Sequence, residues 1–284
     1  MNSLIQEKLK AYNCQTAEEE KNAITEITQE IALQAFYESK FFEVSGFHGG
    51  TALRILHGLR RFSEDLDFAL IKPDPSFDLT PFIEQVRQIM ASYGYTIRVT
   101  GKDKVSSNVR SRFLKEDSIG SLVTFEHQKD IHGAISIKVE VDINPPAGAL
   151  FETKYVDFPI DFPVKAFDRP SLFAGKSHAL LCRKYVKGRD WFDLGWYIAQ
   201  KTKINFDLLS AAIDQLGPWQ GSGHRVDVDW YVKEMKIRIN SIDWEKAKKD
   251  VERFLKLTDL KSLDLWSKDF FIEKINKLAA YLQT

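Results

Sequence analysis

The sequence predicts a mixed α/β (α+β) chain in two parts, a sheet domain over residues 1–160 followed by an all-helical domain over 161–284. Two runs carry the sheet. Asp65-Leu66-Asp67-Phe68 and residues 134–143 (AISIKVEVDI) alternate polar and apolar side chains at period two, which places one kind on each face of a strand. From 171 onward every segment has the helical period instead. Between them Pro145, Pro146, Pro159, Pro163 and Pro170 punctuate a connection expected to hold little regular structure.

Taken in order, residues 3–39 read as helical. Thr16 followed by Glu19 suits a capping box, and Ile24, Ile27, Ile31, Leu33 and Phe36 recur near helical spacing. The acid-rich opposite side reads as a solvated surface of a helix covering the sheet. Residues 41–47 are expected to form the first strand, running into Gly49-Gly50, and the short helix after it to stop at His57-Gly58, where glycine permits a left-handed end. Residues 65–71 form the second strand. Residues 80–93 return as an amphipathic helix with Phe82, Ile83, Val86, Ile89 and Met90 inward, ended by Gly94. Strands at 95–100, 104–114, 121–126 and 134–143 complete the sheet, and with no helix between them they are expected to pair antiparallel. The helical part divides into 171–187, 190–201, 205–216, 225–239, 243–257 and 267–282, broken at Gly188, Gly217-Pro218 and Gly221-Ser222-Gly223.

Composition bounds the function. The chain has 284 residues, 44% apolar and 28% charged, with zero formal net charge, so it has no overall attraction to nucleic acid and any affinity must come from local patches. Two such patches stand out. Residues 102–115 hold Lys102, Lys104, Arg110, Arg112 and Lys115, and 171–203 hold seven lysines and arginines against Asp190 and Asp193. Trp191, Trp196 and Trp219 could stack bases or fill the core. Cys14 and Cys182 have no C-x-x-C spacing, which argues against a disulfide framework or zinc site and fits a reducing cytoplasm. No apolar run approaches the ~20 residues of a membrane helix, and the first residues, MNSLIQEKLK, lack a signal-peptide core. A cytoplasmic protein without membrane partners is expected.

The chemistry concentrates in 46–70, GFHGGTALRILHGLRRFSEDLDFAL. Gly49 and Gly50 lead into a helix, an arrangement that lets backbone N–H groups approach a phosphate, and Thr51 adds a hydroxyl. Ser63 is close enough to the acid strand to orient Asp65 or touch a phosphate. Asp65 and Asp67 share one strand face, where two carboxylates repel unless a divalent cation lies between them. Each device is common alone: a glycine pair is usually a tight turn, and D-x-D is often a solvated strand face. Together they supply what metal-assisted phosphoryl or nucleotidyl transfer needs. The stretch resembles the signature of the DNA polymerase β-like nucleotidyltransferase superfamily, and GGTAL…RRFSEDLDF resembles more narrowly the AbiEii/AbiGii-type toxin family of nucleotidyltransferases. The resemblance implies a polymerase β-like sheet domain and a third carboxylate on the strand 134–143; Asp142 is the best positional match and Glu140 its competitor, while a plain polar strand face is the alternative.

A second motif follows in the helical part, KSHALLCRKYVKGRDWFDL. Lys176, Leu180 and Arg183 fall on one helix face, and Asp190 suits an N-cap, so solvated cations and a capping carboxylate suffice to explain the pattern. The run also resembles the helical-domain motif of the same family. That resemblance implies that Lys176 holds nucleotide phosphates, that Asp190 takes part in the site, and that Asp193 braces Arg189 or the helix start.

The expected enzyme transfers NMP from an NTP to an acceptor. Asp65, Asp67 and Asp142 hold Mg²⁺ (or Mn²⁺), Gly49, Gly50, Thr51 and Ser63 bind phosphate, and Lys176 with Arg183 stabilises the departing pyrophosphate in a cleft closed by the helical domain. The resemblance further implies an RNA acceptor, with a tRNA 3′ end as the expected target, and a toxin opposed by a cognate antitoxin. A catalytically silent nucleotide-binding module, a transferase acting on a small molecule or protein, and another metal-dependent phosphoryl enzyme remain open. No Walker A string is present.

Overall fold

Among the described residues, seven strands form one mixed sheet in the order β3-β4-β5-β2-β1-β7-β6: β1 (Ser45–His48), β2 (Leu66–Leu70), β3 (Ile97–Thr100), β4 (Val109–Glu116), β5 (Ile135–Asp142), β6 (Phe151–Val156) and β7 (Phe162–Phe167). The computed structural model describes residues 2–101, 108–116, 119–127 and 135–283. These fall into two units, Met1–Pro145 with Phe151–Ala166, and Pro146–Leu150 with Phe167–Thr284.

In the first unit, β3, β4 and β5 pair antiparallel, as the absence of intervening long helices predicts, whereas β2 runs parallel to β5 and β1 parallel to β7. Phe68 on β2 meets Phe36 of α2 (Ala17–Glu38) and Phe47 of β1 at centroid distances of 5.0 and 5.3 Å, which marks the apolar, helix-covered face of the sheet. The N-terminal helical stretch is two helices, α1 (Ser3–Ala11) and α2; Thr16 accepts the Glu19 amide to start the second, as the capping pattern predicts. α3 (Gly49–His57) ends at Gly58 with φ +73°, and α4 (Thr80–Ser92) ends before Gly94.

Three expectations are corrected. Four acids of α2, Glu19, Glu20, Glu26 and Glu30, are buried instead of solvated: Glu26 receives Nε and Nη2 of Arg54 and the hydroxyl of Tyr12, Glu20 receives the amides of Glu126 and His127, and Glu30 lies 3.3 Å from Lys8. The strand expected at 121–126 is instead the single turn α5 (Ile119–Leu122) and irregular chain. The proline-punctuated connection contains two strands, β6 and β7, because Phe162, Val164 and Ala166 alternate into the core and outweigh the prolines. The start expected for the strand 104–114, Ala134, and the cations Lys102 and Lys104 lie outside the described residues.

The second unit holds α6 (Arg169–Cys182), α7 (Gly188–Ala199), α8 (Phe206–Gln215), α9 (Val228–Asn240), α10 (Trp244–Glu252), α11 (Leu257–Leu260) and α12 (Lys268–Leu282). Its core is aromatic. Trp191 stands edge-on to Trp244 and Phe271 at 5.0 and 5.3 Å, so it packs rather than stacks bases. Gly188 does not stop the preceding helix, which ends at Cys182; it opens α7, where a Cβ would collide with the Ala247 carbonyl of α10.

Candidate active site

Sheet register assembles the acid cluster. His48, Asp67, Glu140 and Ser111 are lateral partners across β1, β2, β5 and β4, so their side chains leave the sheet on one face. The next row on that face is Gly46, Ala69, Asp142 and Val109. Glu140, not Asp142, is therefore the direct neighbour of Asp67. Glu140 is bound by Lys138 at 2.7 Å. Asp142 accepts the Asn144 amide at 2.9 Å and lies in the field of His48. Burial pushes the Asp142 carboxyl above its usual range, against the opposing pull of that amide and of His48. His48 is pushed down by burial, although Asp142, the Phe68 carbonyl and Glu140 favour its protonated form. On Lys138 burial works downward, but Glu140, Asp65 and Asp67 outweigh it and raise the ammonium pKa. Lys138 thus lies in the field of both aspartates. Lys138 and His48 are further members of this cluster that the sequence motifs did not single out; the period-two pattern of 134–143 puts Lys138 on one face with Glu140 and Asp142.

The glycine turn adjoins the acids. Gly49 opens α3 at φ +80°, and a Cβ there would collide with the Asp67 carboxylate. A Cβ on Gly50 would lie 2.7 Å from Nη2 of Arg61 and 3.2 Å from Oγ of Ser63. Gly49, Gly50, Ser63 and Asp67 are thereby gathered at the start of α3, whose N-cap, His48, makes no capping bond. Arg61, fully buried and donating to the Phe62 carbonyl, is a further cation there. Thr51 is placed differently from expectation: it is buried, and its hydroxyl donates to the Asp65 carbonyl, fixing the acid strand to α3 instead of facing a phosphate.

Among the described residues no three His, Cys, Asp or Glu side chains converge as a metal-binding group. The donors available are the two aspartates beside the glycine turn. Mg²⁺ is commonly held by one or two carboxylates together with substrate phosphates, so this hard oxygen pair fits it.

The second unit brings together the other predicted residues. Lys176 Nζ lies 2.7 Å from Asp190 and 2.8 Å from Asp193, and Arg183 Nε lies 3.2 Å from Asp190. Asp193 therefore anchors Lys176, and the Arg189 guanidinium packs over Phe254 with its Nε 4.0 Å from Asp250. Burial would raise the Asp190 carboxyl, but Lys176 and Arg183 hold it below the usual range. Arg110 and Arg112 pair with the apolar row of β5. Arg110 donates to the Pro75 and Phe77 carbonyls and Arg112 to the Thr80 hydroxyl, so both serve the segment leading into α4, on the face opposite the acids.

The family profile described as "Nucleotidyl transferase AbiEii toxin, Type IV TA system" matches residues 31–274, most of the chain. The chain belongs to the AbiEii family. It is accordingly a nucleotidyltransferase of a toxin family, and the matched region contains the glycine turn, the acid pair and the Lys176–Asp190 cluster. Among solved structures, MenT4, a nucleotidyltransferase toxin from Mycobacterium tuberculosis H37Rv, is similar at 14% identity and TM-score 0.53, over 98% of this chain and 99% of that one, which shows the shared fold. JHP933 from Helicobacter pylori matches at 17% identity and TM-score 0.43, over 90% of each chain. No curated protein matches this AbiEii-family chain by sequence. No helix among its described residues is long and apolar enough to cross a membrane.

Proposed function

We propose that this AbiEii-family enzyme transfers a nucleoside monophosphate from an NTP to an RNA acceptor, a tRNA 3′ end being the expected one, in the cytoplasm and under the control of a cognate antitoxin. The observation that carries nucleotidyl transfer is the placement of the Asp67 carboxylate against Gly49, which joins an acid pair to the amides opening α3. Asp65 and Asp67 would hold Mg²⁺ or Mn²⁺, with Asp142 or Glu140 as the third carboxylate; the metal supplies neutralisation of triphosphate charge. The Gly49 and Gly50 amides bind phosphate oxygens, helped by Ser63 and by the positive end of α3. Lys176, oriented by Asp190 and Asp193, and Arg183 offset charge developing on the leaving pyrophosphate. RNA as acceptor rests on the family's toxin character and on the cations of 183–203.

The test is to incubate the protein with total RNA and each α-labelled NTP, with Mg²⁺ or with EDTA. Metal-dependent label in RNA is expected. Label entering only protein or a small molecule would remove the RNA acceptor while leaving the acid site standing.

A further inference from the structure

The short connection between α6 and α7 reads Arg183-Lys184-Tyr185-Val186-Lys187, and it carries two features that the cluster beneath it does not use. The first is Tyr185, whose side chain is 60% exposed. Its ring is nevertheless held: the Arg183 guanidinium lies 4.9 Å from the ring centroid, and Nη1 of Arg183 donates to the Tyr185 hydroxyl. Arg183 is itself fixed by Asp190, and its carbonyl accepts from Arg238. An aromatic ring on a rigid mount, beside a guanidinium and open to solvent, has the form of a stacking platform. The second feature is Lys187. Lys176 is committed to two carboxylates, whereas the Lys187 ammonium has no hydrogen-bond or ion-pair partner among the described residues. It is half-buried near Arg189, Lys176 and Arg183, with Asp190 the one opposing charge that acts on it, and burial followed by those cations pushes its pKa down. A desolvated cation among cations is stabilised by an added anion.

We propose that Tyr185 and Lys187 form a nucleotide-binding subsite, in which the Tyr185 ring stacks on a nucleobase and the Lys187 ammonium takes a phosphate oxygen. With only Val186 between them, their Cα atoms lie at most about 7 Å apart, a gap that one nucleotide can bridge. The proposal rests on the reading of nucleotidyl transfer above, since both substrates of that reaction, the NTP and an RNA acceptor, present a base and a phosphate.

The test measures binding without turnover. Each of the four NTPs, and a labelled single-stranded RNA oligonucleotide of mixed sequence, is titrated into wild type, Tyr185→Leu, Tyr185→Phe and Lys187→Gln, with melting temperature as the folding control. Tyr185→Leu and Lys187→Gln are each expected to weaken one probe by at least about fivefold, the lower end of a single stacking contribution, while Tyr185→Phe stays within about twofold. Loss confined to NTP assigns the subsite to the donor. Loss confined to RNA, with a log–log salt slope shallower by about 0.7 in Lys187→Gln, assigns it to the acceptor. Folded Tyr185→Leu and Lys187→Gln proteins that bind every probe within about twofold of wild type overturn the proposal, as does wild type binding neither probe. If wild type transfers label while these variants bind normally, the subsite fails and nucleotidyl transfer stands. If the variants lose binding but wild type transfers nothing, the reverse holds.

Discussion

Gly49 shows how one missing side chain can set a reaction. Its φ of +80° and the carboxylate of Asp67 lying where a Cβ would go make two separate demands for glycine. Gly49→Ala is expected to cost about 1–2 kcal/mol of stability from the left-handed backbone and, by displacing Asp67, to lower kcat/KM by about 10²-fold. Gly58→Ala is the control: φ is +73° there but nothing lies within 4 Å, so stability should fall similarly with activity kept. Denaturant melts and label transfer measured on both variants decide the point. Lys176 makes the complementary case. Lys176→Met removes the cation that Asp190 and Asp193 share and leaves Asp190 with Arg183, which is expected to cost about 3 kcal/mol at neutral pH. In wild type the Asp190 carboxyl is depressed, so its stabilisation is present above the unfolded value of 3.8 and is lost as pH falls through the lower folded value. Without the lysine the depression is smaller, so the variant loses less stability than wild type as pH falls. The gap between the two proteins should therefore narrow from pH 7 toward acid in urea melts; a constant gap would contradict the assignment.

At the scale of elements, the sequence was most legible where pattern and packing agree. Glycine ends at 58 and 94, the cap at Thr16 and the alternation of β2 and β5 appear where local chemistry puts them. It was least legible where tertiary partners reverse a local rule. The acids of α2 read as a solvated face because their partners, Arg54, Lys8 and the amides at 126 and 127, lie far away in sequence. β7 was hidden by Pro163 and the prolines that flank it, and the end of α6 was misplaced because Gly188 serves the contact with Ala247 instead of a helix stop. α2 also carries a pH prediction. Burial pushes the Glu30 carboxyl up to about 7, despite Lys8. The folded chain thus holds a proton that the unfolded chain releases near 4.5, and stability contributed by this site falls as pH rises from about 4.5 to about 7, then levels. Glu30→Gln removes the titration. It should gain stability relative to wild type across that window, by a few kcal/mol at most at 1.36 kcal/mol per pH unit, and the difference should vanish at the acid end. Parallel stability–pH curves for the two proteins would refute the assignment.

For the molecule as a whole, the neutral net charge and the diversion of Arg110 to carbonyls and of Arg112 to the Thr80 hydroxyl limit how strongly RNA can be held. RNA binding is expected to show a log–log salt slope no steeper than about −3, the release from about four phosphates at about 0.7 each; filter-binding titrations across a salt series measure it. Of the candidate site, the glycine turn, Asp65 and Asp67 could be read from spacing, because all three lie within one short segment. The lateral placement of Glu140 beside Asp67, and Lys138 across from both aspartates, needed the β2–β5 register, which a one-residue slip would have inverted. The anchoring of Lys176 by Asp193 needed the geometry of α6 against α7. The account turns on the acid pair. In the label-transfer assay, folded Asp65→Asn/Asp67→Asn protein given α-labelled NTP, Mg²⁺ and RNA is expected to transfer no label above background where wild type does; near-wild-type transfer by that double variant would contradict the assignment of Asp65 and Asp67.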